Sequence, residues 1–216
     1  MRLAIALLAL LAVQDQKKDL KPVNENMAKL KTYHFTLKVE FAGETKLSME
    51  GEMLGVDALH IRTDKAEVAR KGDRKLVKSN DEWKEPPKAK REKDADDVTM
   101  PHEWAKKMSD GCGLVKREKS DKIGATTVDI YVGLPGVEDA KKAAEGGGFP
   151  FISSLVDWTK AKNAIQFSVG RDDLYYRVEQ KFEAGAKSGA IVIEFSEFNK
   201  AKCRLPDDVK KKLGIE

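Results

Sequence analysis

The segment Tyr33-His34-Phe35-Thr36-Leu37-Lys38-Val39-Glu40-Phe41 decides the fold class of this chain. Apolar and polar residues alternate along it without interruption. A period of two places all five apolar side chains on one face of a β-strand. One face of this strand therefore meets a core or a ligand, and the other meets water.

The alternation continues after a turn at residues 42–44. The next strand carries its apolar face at Leu47, Met49, Gly51 and Met53. Short strand-like pieces follow around Leu59, Val68 and Leu76, separated by turns of a few residues. Connections this short join antiparallel neighbours, because a parallel crossover needs about a dozen residues. The region from 33 to 77 is predicted to be an antiparallel meander.

The rest of the chain repeats strand patterns with a few helical ones. Strands are predicted at 114–119, 126–132, 165–169, 174–182 and 191–195, with a hairpin turn at 120–122. Helical periodicity is found at 17–31, 101–108, 136–145, 152–161 and 205–214. Nine or ten strands would span about 45 Å, whereas each helix covers about 10 Å. We therefore predict an α+β fold in which a strongly curved antiparallel sheet, a half-barrel, holds a few short helices on its concave side.

The N-terminus has the pattern of an export signal. Arg2 precedes eleven apolar residues at 3–13, and polar residues begin at Gln14. A helix of that length spans about 16 Å, too short for a transmembrane span. We predict a signal peptide at 1–13 and a single domain at 14–216, exported to the periplasm or secreted. A buried N-terminal helix is the alternative.

The composition of the chain argues against a nucleic-acid-binding protein. The chain has 216 residues, of which 41% are hydrophobic, and 40 Lys+Arg face 36 Asp+Glu. This near balance does not indicate a nucleic-acid partner. Residues 84–97 contain ten charged residues out of fourteen, which predicts a charged flexible loop.

The predicted export affects whether the two cysteines are expected to form a disulfide. Cys112 and Cys203 are 91 positions apart, too far for a close-spaced metal or redox motif. An oxidising compartment favours a disulfide between them. Two buried thiols acting as small hydrophobic side chains are the alternative.

Motifs of catalysis are missing. The sequence His102-Glu103-Trp104-Ala105-Lys106 begins like a zinc-protease helix, but lysine stands where the second histidine ligand is required. His34 and His60 fall on the polar side of their strands, so we expect them at the surface. We predict no enzyme activity, no metal site and no cofactor.

The candidate binding surface is the apolar face of the first two strands. Aromatic and methionine side chains suit an irregular hydrophobic ligand, but any core strand also needs apolar alternation. A ligand cavity and a fully packed core therefore both remain open. The candidate residues are Tyr33, Phe35, Leu37, Val39, Phe41, Leu47, Met49 and Met53.

The order of these parts resembles the secreted bacterial lipoprotein-carrier class that includes LolA, LolB and LppX. The likeness covers the N-terminal helix, the strand 33–41, the meander through Arg70-Lys71-Gly72-Asp73-Arg74 to Asp81-Glu82-Trp83, and the ending Arg204-Leu205-Pro206-Asp207-Asp208-Val209. It implies a half-barrel that holds a lipid, an acyl chain or a lipidated protein between sheet and helices. Some members of the class bind partner proteins instead. A module that contacts another envelope protein, through residues 146–152 or the charged loop, is thus the alternative.

Overall fold

The computed structural model describes residues 16–55, 57–86, 100–138, 156–157 and 159–215. The predicted signal peptide, most of the charged loop, most of the helices predicted at 136–145 and 152–161, and the segment 146–152 lie outside these ranges. None of the helices described is long and apolar enough to cross a membrane.

Eleven strands of the described chain form one open, curved antiparallel sheet. They are β1 Thr32–Phe41, β2 Glu44–Leu54, β3 Ala58–Thr63, β4 Glu67–Lys71, β5 Arg74–Ser79, β6 Glu82–Lys84, β7 Cys112–Ile123, β8 Thr126–Pro135, β9 Lys162–Gly170, β10 Tyr175–Ala184 and β11 Lys187–Ser196. The order across the sheet is β6-β5-β4-β3-β2-β1-β11-β10-β9-β8-β7. The pairing of β1 with β11 joins the first and last strands and places both in the middle of the sheet. The predicted fold class is confirmed.

The strand missing from the prediction is β6. It contains only Glu82, Trp83 and Lys84, and it pairs with the end of β5. Three residues are too few for a period of two to be visible in the sequence. The sheet therefore has eleven strands, where the sequence predicts nine or ten.

The predicted turn between β7 and β8 is displaced. β8 begins at Thr126 as predicted, but β7 runs further than expected, to Ile123, so residues 120–122 lie inside β7. The turn contains Gly124, whose φ of +58° falls in the left-handed region that glycine adopts without steric cost. The backbone requirement of a tight turn decides its position here, and the polar residues at 120–122 do not.

Three α-helices belong to the described residues. A single 3₁₀ turn, Lys17–Asp19, leads into α1 at Leu20–Lys29, and the others are α2 at Pro101–Gly111 and α3 at Asp207–Leu213. Each buries one apolar stripe, as helical periodicity requires. The buried residues are Leu20, Val23 and Met27 in α1, Pro101, Trp104, Ala105, Met108 and Ser109 in α2, and Val209 and Leu213 in α3.

The two faces of the sheet carry separate cores. We call the face that contains Tyr33, Phe35 and Phe41 the inner face, and α1 and α2 pack in the same apolar cluster as its residues. The opposite, outer face is covered at β3–β5 by α3 and the segment around it. That second cluster consists of Ala58, Ala69, Leu76, Leu205, Val209, Leu213 and Ile215.

This division corrects the predicted disulfide. Cys112 lies in the inner-face cluster, where its Sγ donates to the Met108 carbonyl at 3.3 Å. Cys203 packs against the outer-face cluster. The two thiols are not bonded to each other. A disulfide requires Cα atoms within about 7 Å, and here the sheet lies between the two residues.

Candidate functional site

The sheet register brings the eight candidate binding residues together. Across β1 and β2, Leu37 is paired with Met49, and Val39 with Leu47. Paired residues of an antiparallel sheet point to the same side. The eight side chains therefore form a continuous apolar surface on the inner face. Whether this surface binds a ligand stays a prediction.

Burial divides the eight residues into two groups. Leu47 and Met49 are partly buried and pack against the edge of the inner core. The remaining six are buried, namely Tyr33, Phe35, Leu37, Val39, Phe41 and Met53. Substitutions at Leu47 and Met49 thus change the inner face with the least damage to the fold.

Tyr33 links the sheet to α2. Its hydroxyl lies 2.9 Å from His102 Nδ1 at the start of that helix, and its ring meets Phe195 edge-on with ring centroids 5.5 Å apart. Burial raises the pKa of Tyr33 and lowers the pKa of His102. Both groups are therefore neutral near pH 7, and a neutral hydrogen bond holds the helix at this point.

A second polar contact holds both helices. The buried Tyr175 hydroxyl of β10 donates to Asn24 Oδ1 in α1 at 2.8 Å, and Asn24 Nδ2 donates to Ser109 Oγ in α2 at 2.9 Å. Burial raises the pKa of Tyr175. Side-chain hydrogen bonds as well as apolar packing therefore attach the helix pair to the inner face.

A polar pair lies within the apolar inner face. Gln180 of β10 is fully buried, and its Nε2 donates to Asn163 Oδ1 of β9 at 3.3 Å. Gln180 sits beside Ile165 and Ile191 on the neighbouring strands. This pair was not among the predicted site residues. The signal was present, because a period of two from Val178 to Phe182 places Gln180 on their side.

Two of the clefts on the described surface open elsewhere. One, of about 780 Å³, lies between the β4–β5 hairpin and α3, and Arg70, Arg74, Lys75, Trp83 and Lys212 are among its lining residues. The other, of about 620 Å³, lies between α1 and α2. None of the eight candidate residues lines either cleft. A ligand on the inner face would therefore require movement of the elements that cover it.

The expected surface position of His60 is wrong. Its side chain is fully buried on the outer face, with Nδ1 2.8 Å from Glu52 and Nε2 2.9 Å from Glu67. Arg62 also contacts Glu52, at 2.7 Å, and Arg204 approaches it at 3.5 Å. The C-terminal segment covers the outer face here, which sequence periodicity does not predict.

Each side chain of the ion-pair network formed by Glu52, His60, Arg62 and Glu67 has a hydrogen-bond partner within the network. Burial alone would raise the pKa of Glu52, but the hydrogen bonds from His60 and Arg62 and the positive charge of Arg62 lower it. The pKa of Glu67 is lowered in the same way by His60 and Lys78. In the part of the chain described, no group of three His, Cys, Asp or Glu side chains could hold a metal ion.

Comparisons with known proteins agree with this architecture. No protein-family model matches the sequence, and no curated protein does. The structure aligns with the lipoprotein LppX of Mycobacterium tuberculosis at a TM-score of 0.55 and 12% identity, over 87% of this chain and 96% of LppX. It aligns with LprF of Mycobacterium bovis at a TM-score of 0.56 and 9% identity, over 89% and 96% of the two chains.

A LolA superfamily protein from Nitrosomonas europaea aligns at a TM-score of 0.33 and 8% identity, over 91% of this chain and 97% of that protein. This value is too low to support an argument. At such identities the LppX and LprF alignments establish the fold and nothing further. The chain therefore has the fold of LppX and LprF, and the predicted resemblance to the lipoprotein-carrier class is confirmed as a likeness of fold.

Proposed function

We propose that this protein is an exported, non-catalytic binding protein that holds a lipid, an acyl chain or another hydrophobic ligand between the inner face of the sheet and helices α1 and α2. The observation that carries the proposal is the continuous apolar surface of β1, β2 and β11, which packs in one apolar cluster with helices α1 and α2. The fold shared with LppX and LprF supports it.

The energetics of the helix contacts favour reversible binding. The hydrogen bonds of Tyr33 with His102, and of Asn24 with Tyr175 and Ser109, each contribute about 1 kcal/mol net. Burying ten methylenes of an acyl chain contributes about 8 kcal/mol. A ligand whose acyl chain keeps the displaced helix side chains in apolar contact therefore compensates for the broken hydrogen bonds, and no chemical step is needed.

Binding is tested with the mature protein purified from its native envelope without detergent. Native mass spectrometry, followed by solvent extraction, should find additional mass that matches an extracted lipid. A bare polypeptide that also fails to bind a fluorescent fatty acid would contradict the proposal.

A charged substitution on the inner face tests whether this face is the binding surface. Met49→Asp should weaken binding of the fluorescent fatty acid by at least about tenfold, because the buried charge faces an apolar chain. Ser48→Asp is the matched control, since Ser48 is the adjacent residue of β2, exposed on the outer face. Equal affinity of folded Met49→Asp and the unaltered protein would exclude this surface as the ligand site.

A protein-interaction module on the same fold is the second candidate. It is favoured by the cross-strand pair Leu114 and Leu134 of β7 and β8, which are 38% and 59% exposed. On this reading the inner face is a packed core and no ligand can be extracted. Leu134→Glu should then abolish chemical cross-linking to an envelope protein in intact cells, whereas unchanged cross-linking would eliminate this candidate.

A further inference from the structure

The pair Gln180 and Asn163 has hydrogen-bonding groups that no described residue satisfies. Gln180 Oε1 and Asn163 Nδ2 are both buried, and neither has a hydrogen-bond partner within the described ranges of the chain. Buried polar atoms are almost always paired, because an unpaired one loses its hydrogen bonds to water without replacement. An orphan acceptor and an orphan donor on two contacting side chains therefore require an explanation.

The assignment of the amide atoms does not alter this pattern. As placed, Gln180 Nε2 donates to Asn163 Oδ1, which leaves one acceptor and one donor. If both amides are turned over, the bond runs in the opposite direction and again leaves one donor and one acceptor. The pair thus presents complementary groups to one external partner in either case.

The location of the pair connects it with the proposed ligand surface. Gln180 is next to Ile191, which is paired with Val39 of β1. Asn163 is paired with Phe182, whose ring stacks on Phe41 at a centroid distance of 6.1 Å. The unsatisfied groups therefore lie inside the apolar inner face, each separated by one side chain from a candidate binding residue, Val39 or Phe41.

We infer that Gln180 and Asn163 bind the polar end of the hydrophobic ligand, and that this end carries a donor and an acceptor on one planar group, as a carboxamide or a neutral carboxylic acid does. The inference rests on the proposed function. The ligand carbonyl accepts from Asn163 Nδ2, and the ligand N–H or O–H donates to Gln180 Oε1. An ester has no donor and leaves Gln180 Oε1 unsatisfied. The acyl chain then extends along the inner face.

The experiment measures displacement of a fluorescent fatty acid from the mature protein by dodecanamide and by methyl dodecanoate. These competitors have the same chain and differ in the hydrogen-bond donor. Dodecanamide should bind about tenfold more tightly than the ester, because only the amide satisfies both groups. Equal affinities of the two competitors would overturn the inference.

Substitutions of Gln180 and Asn163 test whether this pair causes the preference for the amide over the ester. In Gln180→Met the ratio of amide to ester affinity should fall to about one. Asn163→Leu should have the same effect and is safer for folding, since Asn163 is only partly buried. Gln166→Met is the control, because Gln166 belongs to the same strand as Asn163 and points to the outer face. A preference for the amide that survives in both Gln180→Met and Asn163→Leu would also overturn the inference.

The outcomes separate this inference from the proposed function. If the fluorescent fatty acid does not bind at all, the proposed function fails and the inference fails with it. If the fatty acid binds and the protein does not distinguish amide from ester, the inference alone fails, and the pair holds a buried water in place of a ligand group.

Discussion

Replacing Glu52 by glutamine tests whether the outer-face ion-pair network stabilises the fold. Glu52 is 1% exposed, and its two oxygens contact His60 at 2.8 Å, Arg62 at 2.7 Å and Arg204 at 3.5 Å. Glutamine keeps the shape of the side chain and removes its charge. Arg62 then loses the counter-charge of Glu52, and His60 loses a charged hydrogen-bond partner, in a buried site. Removal of one partner from such a network costs about 3 kcal/mol.

Glu50→Gln provides the matched control. Glu50 is two residues away on the same face of β2 and also pairs with Arg62, at 2.9 Å, but its side chain is 47% exposed. A pair this exposed contributes less than about 1 kcal/mol. The comparison therefore varies burial and keeps the chemistry of the substitution constant.

Urea unfolding and thermal unfolding at pH 7, both monitored by tryptophan fluorescence, measure the free energy of unfolding and the melting temperature of each variant. Glu52→Gln should lower the free energy of unfolding by about 3 kcal/mol and the melting temperature by roughly 6–12 °C. Glu50→Gln should stay within about 1 kcal/mol of the unaltered protein. Equal losses in the two variants would refute the argument that burial makes Glu52 important.

Three further results are expected. Because the pKa of Glu52 is lowered in the folded state, its contribution is present above the ordinary glutamate pKa of about 4.3 and is lost as the pH falls through the lower folded value. Acid unfolding of Glu52→Gln should thus be less steep, and an unchanged profile would contradict this. Gly51→Ala should lower the free energy of unfolding in urea by about 3 kcal/mol or more, because a Cβ at this position would lie 2.2 Å from the His60 carbonyl oxygen. A loss below about 1 kcal/mol would show that the two strands move apart to accommodate the methyl group. Finally, Cys112 and Cys203 should both be alkylated after denaturation without reductant, and reductant should not change the melting temperature. Two cysteines that resist alkylation until reductant is added would show that the disulfide forms after all.

The alternation of apolar and polar residues predicted most of the sheet. Ten of the eleven strands have enough residues for a period of two to show, and the patterns at 33–41 and 47–53 also predicted which residues of β1 and β2 share a face. The short β6 and the turn at Gly124 were missed for local reasons. One has too few residues, and the other depends on a backbone conformation that a polar residue pattern does not specify.

The candidate site was predicted only in part. The eight residues of β1 and β2 lie on one face, as expected. Gln180 was overlooked, because a single polar residue in an apolar strand pattern gives no indication of whether its amide finds a partner. His60 was assigned to the surface because alternation identifies the face but not what covers it.

The sequence by itself determined the period of each element, and hence which side chains share a face or a stripe. These properties depend on residues a few positions apart, so they are visible along the chain. The tertiary structure decided that β11 pairs with β1, that α3 covers the outer face, that Cys112 and Cys203 lie on opposite sides of the sheet, and that Gln180 and Asn163 meet. Each of these depends on contacts between distant segments, whose free energies local periodicity does not encode.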